Sequence, residues 1–193
     1  MERKECEIIL RIMNEVIDAG HMERYYTVLT DLVYSLQNRQ ISNNILELGT
    51  GYGHSLVCLA LAAKAIDGRV YTIDNDVERV NRIARPTINK FDLQNYVGFI
   101  EGDTLSTQII DKLANFTFGL IFLDSSHLQI PTLTELSTYS RLLDKGGYLV
   151  LHDTNEESVK HALSEFLSNR GDEFILALEF IQMPSLTVLR KIK

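Results

Sequence analysis

Residues 45–55 read Ile45-Leu46-Glu47-Leu48-Gly49-Thr50-Gly51-Tyr52-Gly53-His54-Ser55: an apolar run holding one acid, then three glycines at alternate positions. The run Ile45–Leu48 lacks polar alternation in the manner of a strand buried on both faces. Leu56, Leu59, Ala60 and Ala63 follow at helical spacing. Glycines between strand and helix allow a tight turn and let a ligand approach bare backbone. The free N–H groups and positive dipole end of the helix face the same turn. A nicotinamide-type G-x-G-x-x-G would need a glycine at position 54, where His54 stands. The spacing is instead G-x-G-x-G with an acid two residues ahead. Taken alone the turn carries little weight, because many strand-to-helix turns use glycine for geometry only.

Outward from this stretch, short apolar runs alternate with helical stripes. The runs are Ile45–Leu48, Val70–Ile73, Val97–Ile100, Leu120–Leu123 and Tyr148–Leu151. Between them lie stripes carrying Leu105, Ile109, Ile110 and Leu113, then Leu133, Leu136, Leu142 and Leu143. A further helix opens with Thr154 and Glu157 at capping-box spacing and continues through Val159, Leu163, Phe166 and Leu167. Two last runs, Phe174–Leu178 and Leu186–Leu189, have no helix between them and suit an antiparallel pair. Such alternation predicts a doubly wound α/β domain, a mostly parallel sheet with helices on both faces and right-handed crossovers. Ligands of such sheets bind beyond the carboxyl ends of the strands, so the chemistry is sought in the residues that follow each strand.

The first forty residues differ. Ile9, Ile12, Met13, Val16 and Ile17 mark one amphipathic helix and Tyr25, Leu29, Leu32, Val33 and Leu36 a second, with Gly20 between them. Residues 1–40 are expected to form a helical lid or oligomerisation segment and residues 41–193 the ligand-binding domain. A chain of 193 residues suits one such domain. The formal charge of −7, with no dense basic run, argues against nucleic acid and anionic lipid as partners. Cys6 and Cys58 give neither a disulfide framework nor a metal knuckle. The start, MERKECEIIL, is too charged for a signal peptide and no apolar run spans a membrane, so the cytoplasm is the expected compartment.

The strand ends carry acids in order. The second closes on Tyr71-Thr72-Ile73-Asp74, about twenty residues past the glycine turn, where a carboxylate can accept both hydroxyls of a ribose. Asp76 is the more natural cap of a following helix. The third closes on Glu101-Gly102-Asp103-Thr104, where Asp103 either meets an adenine amino group or caps the helix beginning near Leu105.

These segments, ILELGTGYGHS, VYTID, FIEGDTL, LIFLDSSH and LLDKGGYLVLHD, resemble the class I S-adenosylmethionine-dependent methyltransferases in order and spacing over about residues 41–190. The resemblance implies a seven-stranded Rossmann-like sheet with a reversed last strand, and S-adenosylmethionine as cofactor. It puts Glu47 and the turn of Gly49, Thr50, Gly51 and Gly53 on the methionine part. Asp74 with Asn75 would hold the ribose, and Gly102, Asp103 and Thr104 the adenine, with Asp124 close by. Ser55 either caps the next helix or touches the cofactor.

The fourth strand ends Leu123-Asp124-Ser125-Ser126-His127 and the fifth Leu151-His152-Asp153-Thr154. Paired acids are costly to bury without a cation, and a divalent metal removes that cost. The pattern is similar to the metal-dependent small-molecule O-methyltransferases of the catechol, caffeoyl-CoA and natural-product-sugar kind. By that resemblance Asp124 and Asp153 bind Mg²⁺, and His127 with Asp124 is catalytic, the histidine as general base. The catechol type has Asn where Thr154 stands and the sugar type an acidic pair where His152 precedes Asp153, so the third ligand stays open. His152 is expected in a supporting role, and His21 and His161 in solvent. The expected reaction is methyl transfer to a small-molecule hydroxyl, by a monomer or homodimer. The alternatives are a cofactor-binding domain whose catalysis has lapsed and an aminopropyl transferase. A base-directed nucleic-acid methyltransferase would need an Asn/Asp-Pro-Pro-aromatic stretch that LDSSHLQIP lacks.

Overall fold

The computed structural model describes residues 23–37, 39–181 and 185–193. The first expected helix, with Cys6, Gly20 and His21, lies outside the described residues.

The second amphipathic stripe forms α1 (Glu23–Tyr34). Then follow β1 (Asn44–Leu48), α2 (His54–Ala65), β2 (Arg69–Asp74), α3 (Val77–Arg79), a π-helical turn (Val80–Ala84) and α4 (Arg85–Lys90). The second half runs β3 (Val97–Glu101), α5 (Thr107–Leu113), β4 (Phe118–Leu123), α6 (Gln129–Tyr139), β5 (Leu143–His152), α7 (Glu157–Arg170), β6 (Phe174–Phe180) and β7 (Leu186–Lys191). The seven strands lie in the order β3-β2-β1-β4-β5-β7-β6. β1 to β5 are mutually parallel, and β7 runs antiparallel to both β5 and β6. The doubly wound sheet with a reversed last strand is therefore present, and the two final apolar runs do pair.

Each face of the sheet has its own core. One gathers Leu29 and Val33 of α1 with Leu56, Leu59 and Ala63 of α2. The other gathers Ile109 and Leu113 of α5, Leu136 and Tyr139 of α6, and Phe166 of α7. Residues Ser55 to Ala63 of α2 are all buried, because α1 lies over the side that would otherwise meet water.

Three local expectations change. Thr154 does not cap α7; its hydroxyl accepts from Thr187 Oγ1 at 2.9 Å, and the cap position is Glu156. The chain leaves β5 through Asp153 in the left-handed region (φ 52°), which turns Thr154 inward against β7 instead of toward the helix. Leu143 opens β5 and is not part of α6. Ser55 does not cap α2: the cap position is Gly53, and the Ser55 hydroxyl points into the sheet.

The topology reverses between β1 and β4, and there the backbone is drawn tight. Gly49 N–H donates to the Ile73 carbonyl at 2.9 Å and Asp124 N–H to the Leu48 carbonyl at 2.9 Å. A Cβ on Gly49 (φ 96°) would stand 2.3 Å from the Asp124 carbonyl oxygen, whereas one on Gly51 (φ 54°) would meet nothing within 4 Å. Gly49→Ala thus adds a backbone collision to the left-handed penalty. It is expected to lose roughly 3 kcal/mol or more of unfolding free energy in urea, against about 1–2 kcal/mol for Gly51→Ala. Equal losses would mean that the collision is relieved by a backbone shift.

Candidate active site

Five strand ends meet above the β1/β4 switch. A cavity of about 310 Å³ is lined there by Gly49, Gly51, Asp74, Asn75, Gly102, Asp103, Thr104 and Asp124. A second hollow of about 170 Å³, between α1 and the glycine turn, is lined by Thr50 and Ser55 together with Tyr25, Tyr26, Tyr52, His54 and His152. Asp124 borders both hollows. Glu47 and Gly53 line neither of them.

Glu47 sits beneath the turn. It is fully buried, and its carboxylate accepts from Ser55 Oγ at 2.6 Å and from Thr72 Oγ1 at 2.6 Å. The Thr72 hydroxyl also meets Thr50 Oγ1 at 2.6 Å. One side chain thereby joins β1, the glycine turn, the first residues of α2, and β2. Burial raises Glu47 to about 8, against the lowering effect of the two hydroxyls.

Asp74 braces the turn from the other side. Its Oδ2 accepts from Gly51 N–H at 2.8 Å and its Oδ1 from Asp76 N–H at 2.8 Å. Arg79 reaches Oδ1 at 3.4 Å and lies over the Tyr52 ring. The carboxylate is thus fixed on the cavity wall with lone pairs to spare. Asp76 caps α3 as expected, accepting from Arg79 N–H at 3.0 Å. Asp103 accepts from Leu105 N–H at 2.8 Å; it closes a turn, while Ser106 is the residue that caps α5.

Sequence reasoning missed the opposite wall. Glu135 of α6 is buried, accepts from Ser125 Oγ at 2.6 Å and from Thr104 Oγ1 at 2.5 Å, and lines the larger cavity. Burial raises its pKa, and the two hydroxyls hold it down in part. An acid beside Leu136 on the buried stripe was the available signal. Arg79, at the end of the short helix after Asp74, was another omission.

At the ends of β4 and β5 stand two carboxylates and two imidazoles. Asp124, His127, His152 and Asp153 each bring a ligating atom within 4.8 Å of all the others. His127 Nε2 lies 2.7 Å from Asp153 Oδ2. His152 Nδ1 lies 3.0 Å from that same oxygen and 3.2 Å from Asp124 Oδ1. Burial opposes charge on His152, but the two carboxylates outweigh it and raise the ring to about 9. Asp153 is held below its usual range, first by His152 and then by His127. The Ser158 hydroxyl donates to the His127 carbonyl and so fixes the loop between β4 and α6. His127 itself is half exposed, and His161, as expected, faces solvent.

A family model described as a methyltransferase domain matches residues 46–154, which include the ends of β1 to β5. The chain belongs to the methyltransferase domain family. Its curated relatives include the rhamnosyl O-methyltransferase of Mycobacterium tuberculosis (strain ATCC 25618 / H37Rv), 32% identical over 141 residues, 69% of this chain and 51% of that protein. The chain spans about half the length of the curated relatives it matches. Among solved structures, the O-methyltransferase from Bacillus cereus in complex with SAH superposes with a TM-score of 0.73 at 19% identity, covering 100% of this chain and 92% of that one. The O-methyltransferase TomG from Streptomyces achromogenes in complex with SAM gives 0.69 at 18%, covering 86% and 80%. At such identities the likeness concerns the fold alone.

The Glu47 web has a pH signature. An unfolded glutamate loses its proton near 4.5, whereas the folded domain keeps it to about 8. The folded state therefore binds more protons in that window. The contribution is fully present below the lower value and is lost as pH rises through the higher one. The unfolding free energy of wild type relative to Glu47→Gln should fall steadily from about pH 5 to about pH 8.5. A difference that stays level across the range would show that Glu47 is ionised throughout.

Proposed function

We propose that this chain is an S-adenosylmethionine-dependent methyltransferase acting on a hydroxyl of a small molecule. The observation that carries the reading is Asp74, held rigidly on the cavity wall by two backbone amides while residues from the ends of β1, β3 and β4 meet around the same cavity. The relatives support it: the curated ones are named as O-methyltransferases, and the two structures compared above hold SAM or SAH.

The cavity fits the cofactor chemically. Gly51 leaves open backbone where a Cβ would meet nothing, and Asp74 presents lone pairs suited to ribose hydroxyls. Asp103 with Gly102 and Thr104 stands where the adenine would lie, and Asn75 beside the ribose. Thr50, Gly49 and Gly53 shape the turn on the methionine side, with Glu47 and Ser55 acting from beneath. When bound, S-adenosylmethionine supplies an electrophilic methyl group on sulfur.

His127 is the base in this reading. Its contact with Asp153 steadies the ring and would stabilise the charge it gains on taking the hydroxyl proton. Asp124, on the border of both hollows, stands between cofactor and acceptor. The donor set at Asp124 and Asp153 fits a divalent ion, of which Mg²⁺ is the one the resemblance implies. Such an ion, when bound, lowers the pKa of a coordinated hydroxyl. Positioning the acceptor oxygen in line with the methyl group supplies much of the remaining acceleration. The aromatic side chains of α1 give the acceptor side its shape, and residues 1–40 would complete it as a lid. A homodimer and a cytoplasmic setting go with this reading, and the net charge of −7 goes against a nucleic-acid acceptor.

Calorimetry with S-adenosylmethionine tests the reading. Wild type should bind, and Asp74→Ala should bind at least about 10-fold more weakly, the loss of charge-assisted hydrogen bonds. With a rhamnose-bearing glycoside as first acceptor, His127→Ala should lower kcat by about 10²–10⁴ and leave cofactor affinity unchanged. No binding heat and no thermal shift from the cofactor would overturn the proposal.

A further inference from the structure

His152 closes β5 beneath Tyr25, and both of its ring nitrogens are buried without a hydrogen-bond partner among the described residues. A buried imidazole left in that state is costly, so the arrangement calls for something to satisfy it. Its Nδ1 is close enough to bond, at 3.2 Å from Asp124 Oδ1 and 3.0 Å from Asp153 Oδ2. Yet the nitrogen is aimed at neither oxygen well enough to make a hydrogen bond. Neighbouring corners of a six-coordinate ion with bonds of about 2.1 Å are about 3.0 Å apart. Nδ1 thus stands at the spacing of a neighbouring co-ligand from each of the two oxygens.

We propose that His152 is a metal ligand through Nδ1, and that with Asp124 and Asp153 it makes a mixed imidazole–carboxylate site for a first-row transition ion in preference to Mg²⁺. The inference rests on the reading of the two aspartates as ligands given above. Mg²⁺ is a hard ion that favours oxygen and keeps much of its water, so a buried imidazole in the set works against it. Mn²⁺, Fe²⁺, Co²⁺ and Zn²⁺ accept nitrogen more readily, in the rising order of their usual affinities. His127 is the wrong residue for the same part. It is half exposed, and its Nε2 already meets Asp153 Oδ2 at 2.7 Å. It remains at the mouth, where a base is needed.

The test uses the full chain stripped with a chelator and then titrated separately with Mg²⁺, Co²⁺ and Mn²⁺. Co²⁺ should bind at least about 100-fold more tightly than Mg²⁺. Pulsed EPR on bound Mn²⁺ should show ¹⁴N coupling that survives in His127→Ala and disappears in His152→Asp and His152→Gln. His152→Asp, with an all-oxygen set, should narrow the Co²⁺ to Mg²⁺ ratio by at least about 10-fold. Circular dichroism and S-adenosylmethionine calorimetry on the same samples report whether each variant folds. Absence of ¹⁴N coupling in the folded wild type, coupling that follows His127 instead, or no binding of any of the three ions would overturn the inference. In each of those cases intact cofactor binding would leave the methyltransferase reading standing, whereas failure to bind the cofactor counts against that reading alone.

Discussion

Between β1 and β4 the backbone of Gly49 lies so close to that of Asp124 that no side chain fits between them, and the rest of the site is arranged around this contact. It is made possible by a left-handed residue at the end of β1, which turns the chain sharply and lets Gly49 and Gly51 line the cavity. The turn is then held from beneath by Glu47 and from the side by Asp74. Neither acid is a surface charge, and each takes its hydrogen bonds from groups the fold must place correctly. A buried, hydrogen-bonded polar network of this kind gives rigidity where a purely apolar contact would allow the turn to slide.

The two hollows divide the labour by chemistry. The larger is walled by carboxylates and hydroxyls from β2, β3 and α6, as suits a polar nucleoside. The smaller is walled by tyrosines of α1 and of the glycine turn, as suits an acceptor with some apolar surface. Asp124 stands on the border, and the imidazole–carboxylate cluster extends from it toward the end of β5. The raised pKa of His152 offsets part of the charge of the two carboxylates, and the rest is left for a cation.

Much of this was legible in the sequence, for a physical reason. Strands buried on both faces must be apolar throughout, so β1, β2, β3, β4 and β5 stood out as runs, and the residues after them were by construction at the ligand-binding edge. Side-chain partners were less visible. Glu47 looked like a cofactor residue because it adjoins the glycine turn, yet only the three-dimensional placing of Ser55 and Thr72 reveals that its bonds point inward. Thr154 and Glu157 matched a helix cap in spacing, but a left-handed residue before them redirected the chain. Glu135 escaped because its partners, Ser125 and Thr104, come from two other loops. His152 looked like a supporting residue in a loop; that it ends a strand with its ring buried depends on α1 folding down over it.

The π-helical turn at Val80–Ala84 has a consequence for how this region can vary. Pro86 offers no N–H to the turn before it, and the wider π turn accommodates the extra residue. The same bulge carries Ala84 against Gly53, while Arg79 on its near side reaches Asp74. An α-helix advances about 100° per residue. Trimming the bulge by one residue would therefore rotate Arg79 about a quarter turn relative to α4, whose Ile88 is anchored in the core. Length in this segment acts as a gear setting: the count of residues between two anchors fixes which side chain faces the Asp74 end of the cavity.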